Sequence, residues 1–188
     1  MKGDDCYDLN ILDHITKYTT AHLFVDKRGL ENCVKFLQQI KENCYDQILE
    51  RYFSEKHKKA KDRLLIKFVF DGFANYKSAW SKLFYRVSNG VFGISIKLKN
   101  KGVKHNNNPI ERYNGSIKDR IKIMRGGFGS FRRAEAFMNL KDVIYNFVNP
   151  HQSLNGKTPA EAAGIKLDLG RMKLFGLIKY QSKNSRDD

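Results

Sequence analysis

The stretch NNNPIERYNGSIKDRIKIMRGGFGSFRRAEAFMNLKDVIYNFVNPHQSLNGKTPAEAAGI, residues 106–165, decides the fold, because it carries three helix starts and two distinct helical stripes. Its first helix has apolar residues at helical spacing, which predicts one buried face: Ile110, Ile117, Ile121 and Met124. A second stripe runs along the same helix and joins one acid, one glycine and three cations: Glu111, Gly115, Lys118, Lys122 and Arg125.

Two interpretations of Glu111 are open. Asn108, Pro109 and Glu111 spell a capping box, with the proline at the first helical position. The second stripe favours a functional role, because a glycine inside a helix costs about 1 kcal/mol relative to alanine and indicates that something approaches the backbone. A phosphate backbone held by the cations of this stripe explains both features, whereas a solvated basic face is the plain alternative.

The rest of the stretch predicts further helices. A helix is expected over residues 131–147, and Thr158, Pro159 and Glu161 match the cap, first position and capping acid of a short last helix. His151 follows Asn149 and Pro150, and it is expected to order a loop rather than to act as a base or a ligand.

A short apolar run, LLIKFVF at residues 64–70, precedes this region and is typical of a buried central strand. It ends at Asp71 and Gly72, which form either a simple turn or a carboxylate placed at a strand end. A helix is expected over residues 76–85, a strand over 91–98 and a polar loop over 99–107. The aromatic residues here follow helical spacing and are predicted to be core: Phe73, Tyr76, Trp80, Phe84 and Tyr85.

The N-terminal part predicts a hairpin, with strands at residues 7–12 and 18–25. Helical spacing over residues 29–61 then predicts either one long helix or two consecutive helices that meet near Asn43. Strands first and helices after indicate a mixed α/β sandwich. Residues 1–170 are expected to form one domain, and residues 171–188 an extension with a frayed tail.

The composition points to a polyanionic partner. The chain has 35 lysine and arginine residues against 20 acids, for a formal net charge of +15 at pH 7, and nucleic acid is the polyanion that such a charge favours. A merely basic protein remains the alternative. Three cysteines without paired spacing argue against a disulfide framework or a structural zinc site. No stretch has the length of a membrane span or the apolar core of a signal peptide, so a cytoplasmic protein without a membrane partner is expected.

Carboxylates at a strand end and a helix start can hold two divalent ions about 3.5–4 Å apart for phosphodiester chemistry. Asp71 and Glu111 occupy such positions, and a strand and a helix can bring them together.

The segments NNPIERYNGSIKDRIKIMRG and IYNFVNPHQSLNGKTPAEAAGI resemble the C-terminal half of the catalytic domain of DDE-type insertion-sequence transposases. The resemblance implies an RNase H-like integrase core, in which a mixed sheet is flanked by helices. It places the third catalytic carboxylate on Glu111 and the second on Asp71, with Mg²⁺ or Mn²⁺ as the cofactor in a two-metal site. It also implies contacts with DNA, and we assign these to Arg112, Lys118, Lys122 and Arg125. The block from Tyr145 to Gly164 matches a part of the family that mainly serves packing.

One departure accompanies the resemblance. The family carries its first catalytic aspartate on a strand before the hairpin, and here the hairpin begins six residues into the sequence, so the first strand and its aspartate are expected to be missing. Asp13 resembles a different family position, after the second strand.

These features lead to one main hypothesis and two alternatives. The main one is a DDE transposase catalytic-domain fragment for DNA transposition, inactive alone, that would act on transposon ends and target DNA. The first alternative is a non-enzymatic DNA-binding remnant, or an inactive subunit of a full-length transposase, and a homo-oligomer is also open. The second is a related nuclease that hydrolyses DNA without joining it.

Overall fold

The computed structural model describes residues 6–93, 108–123 and 127–184 of the 188-residue chain, with the side chains of Asn108, Pro109, Lys122, Ile123 and Asn184 left out. These ranges hold four strands and six α-helices, which confirms a mixed α/β architecture. The strands are β1 (Tyr7–Leu12), β2 (Thr19–Val25), β3 (Lys67–Val69) and β4 (Asn89–Val91). The helices are α1 (Leu30–Glu55), α2 (Ala74–Phe84), α3 (Asn108–Ile123), α4 (Phe131–Phe147), α5 (Pro159–Ala162) and α6 (Lys173–Asn184).

The strands form two separate two-stranded sheets within the described ranges, where one mixed sheet was expected. β1 and β2 pair as the predicted hairpin, with the second strand starting one residue later than expected. β3 and β4 pair in parallel, with Phe68 opposite Gly90. Most of the predicted strand over residues 91–98 and the loop over 99–107 lie outside the described residues.

The chain divides into two compact units. One contains residues 2–11 and 20–123, and the other contains Leu12–Thr19 and Met124–Asp188. The assignment of residues 1–170 to a single catalytic domain stays a prediction.

The core of the first unit lies where α1 packs against α2 and the two sheets. Phe36, Leu37 and Phe84 are among its most buried side chains. Phe68 stacks on Phe84 at 4.9 Å between ring centroids, which ties β3 to α2. Buried aromatic side chains of this kind dominate core energetics because each removes a large area from water.

The structure decides between the two alternatives for α1 and shortens the strand predicted before Asp71. α1 is one helix that continues through exposed Asn43, because buried Ile40 and Ile48 hold it on both sides, and it ends at Glu55 rather than at residue 61. The predicted strand over 64–70 shrinks to Lys67–Val69, and Leu64 is 62% exposed.

One smaller prediction was wrong. Tyr85 was expected in the core but is 69% exposed at the C-terminal end of α2, whereas Tyr76, Trp80 and Phe84 are buried as predicted. The frayed tail was expected over residues 181–188; α6 spans Lys173–Asn184, and residues 185–188 lie outside the described residues.

The second unit is built around α4, which packs against α5. Asn146 is 2% exposed, and its side chain accepts from the backbone N–H of Thr19 at 2.9 Å and donates to the carbonyl of the same residue at 3.4 Å. The Asn146 side chain therefore satisfies both backbone polar groups of Thr19. This agrees with a packing role for this part of the sequence.

The predicted capping box of α5 is confirmed. The Thr158 hydroxyl accepts from the backbone N–H of Glu161 at 3.3 Å, and the Glu161 carboxylate accepts from the backbone N–H of Thr158 at 2.8 Å. Lys173, the first residue of α6, donates to the other oxygen of Glu161 at 2.7 Å, so the same acid connects α5 to α6.

Candidate carboxylate site and nucleic-acid interface

The Glu111 helix forms as predicted and presents Arg112 and Lys118 to solvent. Glu111 is exposed in the first turn of α3, and Arg112 and Lys118 are exposed farther along it. Ile117 and Tyr113 are 4% and 3% exposed and provide the buried face, in which Tyr113 was not foreseen. The side chain of Lys122 and all of Arg125 and Met124 lie outside the described residues.

Gly115 lies on the same helix, and a Cβ atom built there would meet no atom within 4 Å. The glycine is therefore not required by packing within the described part of the chain. The space above it is open to a molecule from outside, which is the condition that contact with a DNA backbone would need.

A polar network connects α3 to the hairpin, and sequence reasoning did not predict it. The Asp8 carboxylate contacts Nε2 of His22 at 2.6 Å and accepts from the Asn10 side chain at 2.8 Å. Asn10 also lies 3.5 Å from the Asn114 side-chain oxygen, three residues after Glu111. His22 and Asp8 side chains are 9% and 16% exposed, so this pair is shielded from water. Asn10 is therefore the residue through which this hairpin network contacts the helix that carries Glu111.

Asp71, the other predicted metal ligand, follows β3 and leads into α2. Its Oδ2 accepts from Nη2 of Arg28 at 3.0 Å, and its Oδ1 accepts from the backbone N–H of Phe73 at 3.0 Å. The second bond closes the turn between β3 and α2, which is what the simple-turn interpretation requires. Both carboxylate oxygens are therefore engaged within the protein.

Arg28 is held on several sides. Its guanidinium carbon lies 4.2 Å from the ring centre of Phe73 and 5.4 Å from that of Tyr76, distances typical of cation–π contacts. Burial lowers the pKa of Arg28, but the hydrogen bond and charge of Asp71, together with Tyr76, outweigh it and the pKa is raised. Burial has the opposite effect on the neighbouring phenol and raises the pKa of Tyr76 to about 12. Arg28 therefore stays cationic and acts as the counter-charge of Asp71.

In the described arrangement the carboxylate of Asp71 is occupied by partners within the protein. A cation such as Mg²⁺ needs carboxylate oxygens that can turn toward it, and those of Asp71 face Arg28 and the turn. Residues 6–93, 108–123 and 127–184 contain no cluster of three or more histidine, cysteine, aspartate or glutamate side chains placed to hold a metal ion. Metal binding by Asp71 and Glu111 stays a prediction.

His151 orders a loop, as expected. Its backbone N–H donates to the carbonyl of Lys157 at 2.9 Å, and its carbonyl accepts from Leu154 and Gly156. Burial and the charge of Lys17 lower the pKa of His151, and its ring packs edge-on against Tyr145. Cys6, Cys33 and Cys44 are free thiols.

One comparison with protein families finds a match to part of the chain. Residues 92–159 match the model of the integrase core domain, a segment that includes Glu111, α3 and α4 but not Asp71. The match supports an integrase- or transposase-like family and a role in DNA recombination. Integrase core domains generally use divalent metal ions. No curated protein and no solved structure matches the chain. None of the helices described here has the length and apolar character needed to cross a membrane.

Proposed function

We propose that this chain is an integrase-core protein of the DDE transposase type that binds DNA in transposition. The observation that carries the proposal is the exposed Glu111, Arg112 and Lys118 on α3, inside the segment that matches the integrase core model. The open space at Gly115 on this helix supports the approach of a phosphate backbone.

The 188-residue chain binds DNA but does not cut or join it by itself. The arrangement of Asp71 supports this part of the proposal, because Arg28 and the turn before α2 engage both of its oxygens. Transposases of the DDE type are expected to use Mg²⁺ or Mn²⁺ between three carboxylates. In this chain Glu111 and Asp71 mark the corresponding positions.

A DNA-binding subunit that joins a complete transposase is the second candidate, and the same engagement of Asp71 favours it. Such a subunit needs the cations of α3 and not the carboxylate of Glu111.

Two measurements on purified protein test these proposals: binding of a short mixed-sequence DNA duplex by fluorescence anisotropy, and nicking of supercoiled plasmid in Mg²⁺ or Mn²⁺. Lys118→Gln is expected to weaken duplex binding. The slope of the logarithm of the binding constant against the logarithm of the salt concentration should become less steep by about 0.9, the contribution of one phosphate contact. Glu111→Gln should bind at least as well as the natural chain, because it removes a negative charge.

Neither the natural chain nor the Glu111→Gln variant is expected to nick the plasmid. Nicking by the natural chain that disappears in Glu111→Gln would show a working enzyme and would contradict the inactive assignment. A chain that fails to bind the duplex would refute the proposed function itself.

A further inference from the structure

A dense group of cations follows the end of α1, outside the segment that matches the integrase core model. Residues 51–67 contain seven lysine and arginine side chains, His57 and two acids. We call residues 56–63 the basic loop. Charge runs of this kind are often solvated and irregular, so the structure of the loop decides what it can do.

The buried carboxylate of Glu55 holds the basic loop in shape. Glu55 is 5% exposed, and its Oε2 accepts from the backbone N–H of Leu64 at 2.9 Å. Lys58 donates to both carboxylate oxygens at 3.0 Å. The hydrogen bond from the backbone of Leu64 is the largest cause that lowers the pKa of Glu55, and the hydrogen bond from Lys58 is the next, so the shielded carboxylate stays ionised. A shielded carboxylate is costly unless it is paired and hydrogen-bonded, and here it connects the two ends of the loop.

Two arginines fasten the loop from other directions. Arg63 donates to the carbonyls of Lys56 and Lys58 at 2.9 and 3.0 Å, which satisfies backbone oxygens at the end of α1. Arg51 donates to the carbonyl of Leu64 at 2.7 Å. Three of the cations, Arg51, Lys58 and Arg63, therefore donate hydrogen bonds to groups within the protein.

The other cations of the basic loop face solvent. Lys56, Lys59 and Lys61 are exposed, as is His57. In the described part of the chain these three lysines form no ion pair, and Lys56 lies 4.7 Å from the ring centre of Phe53. The backbone that carries these ammonium groups is already ordered. Binding of the three lysines therefore costs less backbone entropy than binding of a flexible segment would.

We propose that the basic loop is a second DNA contact, in which Lys56, Lys59 and Lys61 bind the phosphate backbone. The inference rests on the proposed function, which supplies DNA as the polyanion, and it adds a surface that lies far from α3 in the sequence. Lysines act as point charges toward phosphates and read no base sequence, so the contact adds affinity without specificity.

The test compares two triple variants with the same change in charge. One replaces Lys56, Lys59 and Lys61 by glutamine. The matched control replaces Lys77, Lys82 and Arg86, three exposed cations on or just after α2, by glutamine. Duplex binding is measured by fluorescence anisotropy over a series of KCl concentrations. In the loop variant the slope of the logarithm of the binding constant against the logarithm of the KCl concentration should become less steep by about 2.7, at about 0.9 per phosphate contact. The control variant should keep a slope near that of the natural chain.

Glu55→Gln separates loop shape from total charge. It raises the net charge by one, so attraction to the whole molecule alone would strengthen duplex binding. We expect weaker binding instead, because the amide has no charge to pair with Lys58 and one acceptor oxygen in place of two, so the loop loses order. Circular dichroism at the assay temperature verifies that this variant is folded, and if it is not, the two triple variants decide.

The outcomes are distinct. Equal effects of the two triple variants would refute the basic loop as a local contact and leave DNA binding through α3 standing. Loss of binding to polyglutamate with unchanged duplex binding in the loop variant would assign the loop to an acidic protein and overturn the proposal. Failure of the natural chain to bind the duplex would refute both this inference and the proposed function.

Discussion

At the scale of single residues, Asp71 has two roles that substitutions can separate. Asp71→Asn keeps an oxygen that accepts from the backbone N–H of Phe73 but removes the charge opposite Arg28, and Asp71→Ala removes both. The Asp71 side chain is 49% exposed, so the ion pair is screened, and we expect asparagine to cost roughly 0–1 kcal/mol of unfolding free energy. Alanine should cost about 0.5–1.5 kcal/mol more for the lost hydrogen bond. Urea unfolding measures both values.

Asp46→Asn, an exposed site on α1, is the control for Asp71. Values for both Asp71 variants equal to this control would show that the contacts of Asp71 contribute nothing to stability. A thermal shift caused by Mn²⁺ in the natural chain, and absent in Asp71→Asn, would show that metal displaces Arg28 and would overturn the assignment of Arg28 as the counter-charge.

At the scale of elements, two helical glycines should respond to alanine with opposite signs. Gly115 on α3 has open space at its Cβ position, so Gly115→Ala should stabilise the protein by about 1 kcal/mol. Gly176 on α6 would place its Cβ 2.1 Å from the carbonyl oxygen of Leu169, so Gly176→Ala should destabilise it by roughly 1–3 kcal/mol. Urea unfolding of the two variants measures the difference.

Duplex binding adds a second readout for Gly115→Ala. If a phosphate backbone approaches this turn of α3, the added methyl group should weaken binding while it stabilises the fold. Unchanged binding would mean that the glycine does not serve DNA contact, and a stable Gly176→Ala protein would contradict the close approach of α6 to Leu169.

At the scale of the whole molecule, the net charge of +15 predicts duplex binding that falls steeply with salt. If α3 and the basic loop contact one duplex together, combining Lys118→Gln with the loop triple variant should change the salt dependence by the sum of the separate changes, because distant independent sites are additive. Anisotropy titrations in KCl measure this. A combined change equal to the larger single change would indicate that the two surfaces bind DNA alternately.

Local chemistry determined most of the elements. The caps, prolines and helical spacing of residues 106–165 predicted α3, α4 and the capping box of Thr158, because these signals act within a few residues. The run over 64–70 was less informative. Arg51 and Glu55 at the end of α1 bind the backbone of Leu64, so Leu64 is not part of the strand, and β3 spans Lys67–Val69.

The sequence by itself therefore determined the mixed α/β class, the α3 helix with Glu111 in its first turn, and the basic character that favours DNA. Only the tertiary structure decided how charges are paired: that Arg28, 43 positions from Asp71, engages it, that Asp8 pairs with His22, and that Glu55 orders the basic loop. The physical reason is distance along the chain. Spacing and capping rules report on neighbours in sequence, whereas the partner of a carboxylate is set by which side chains the folded core brings within hydrogen-bonding distance.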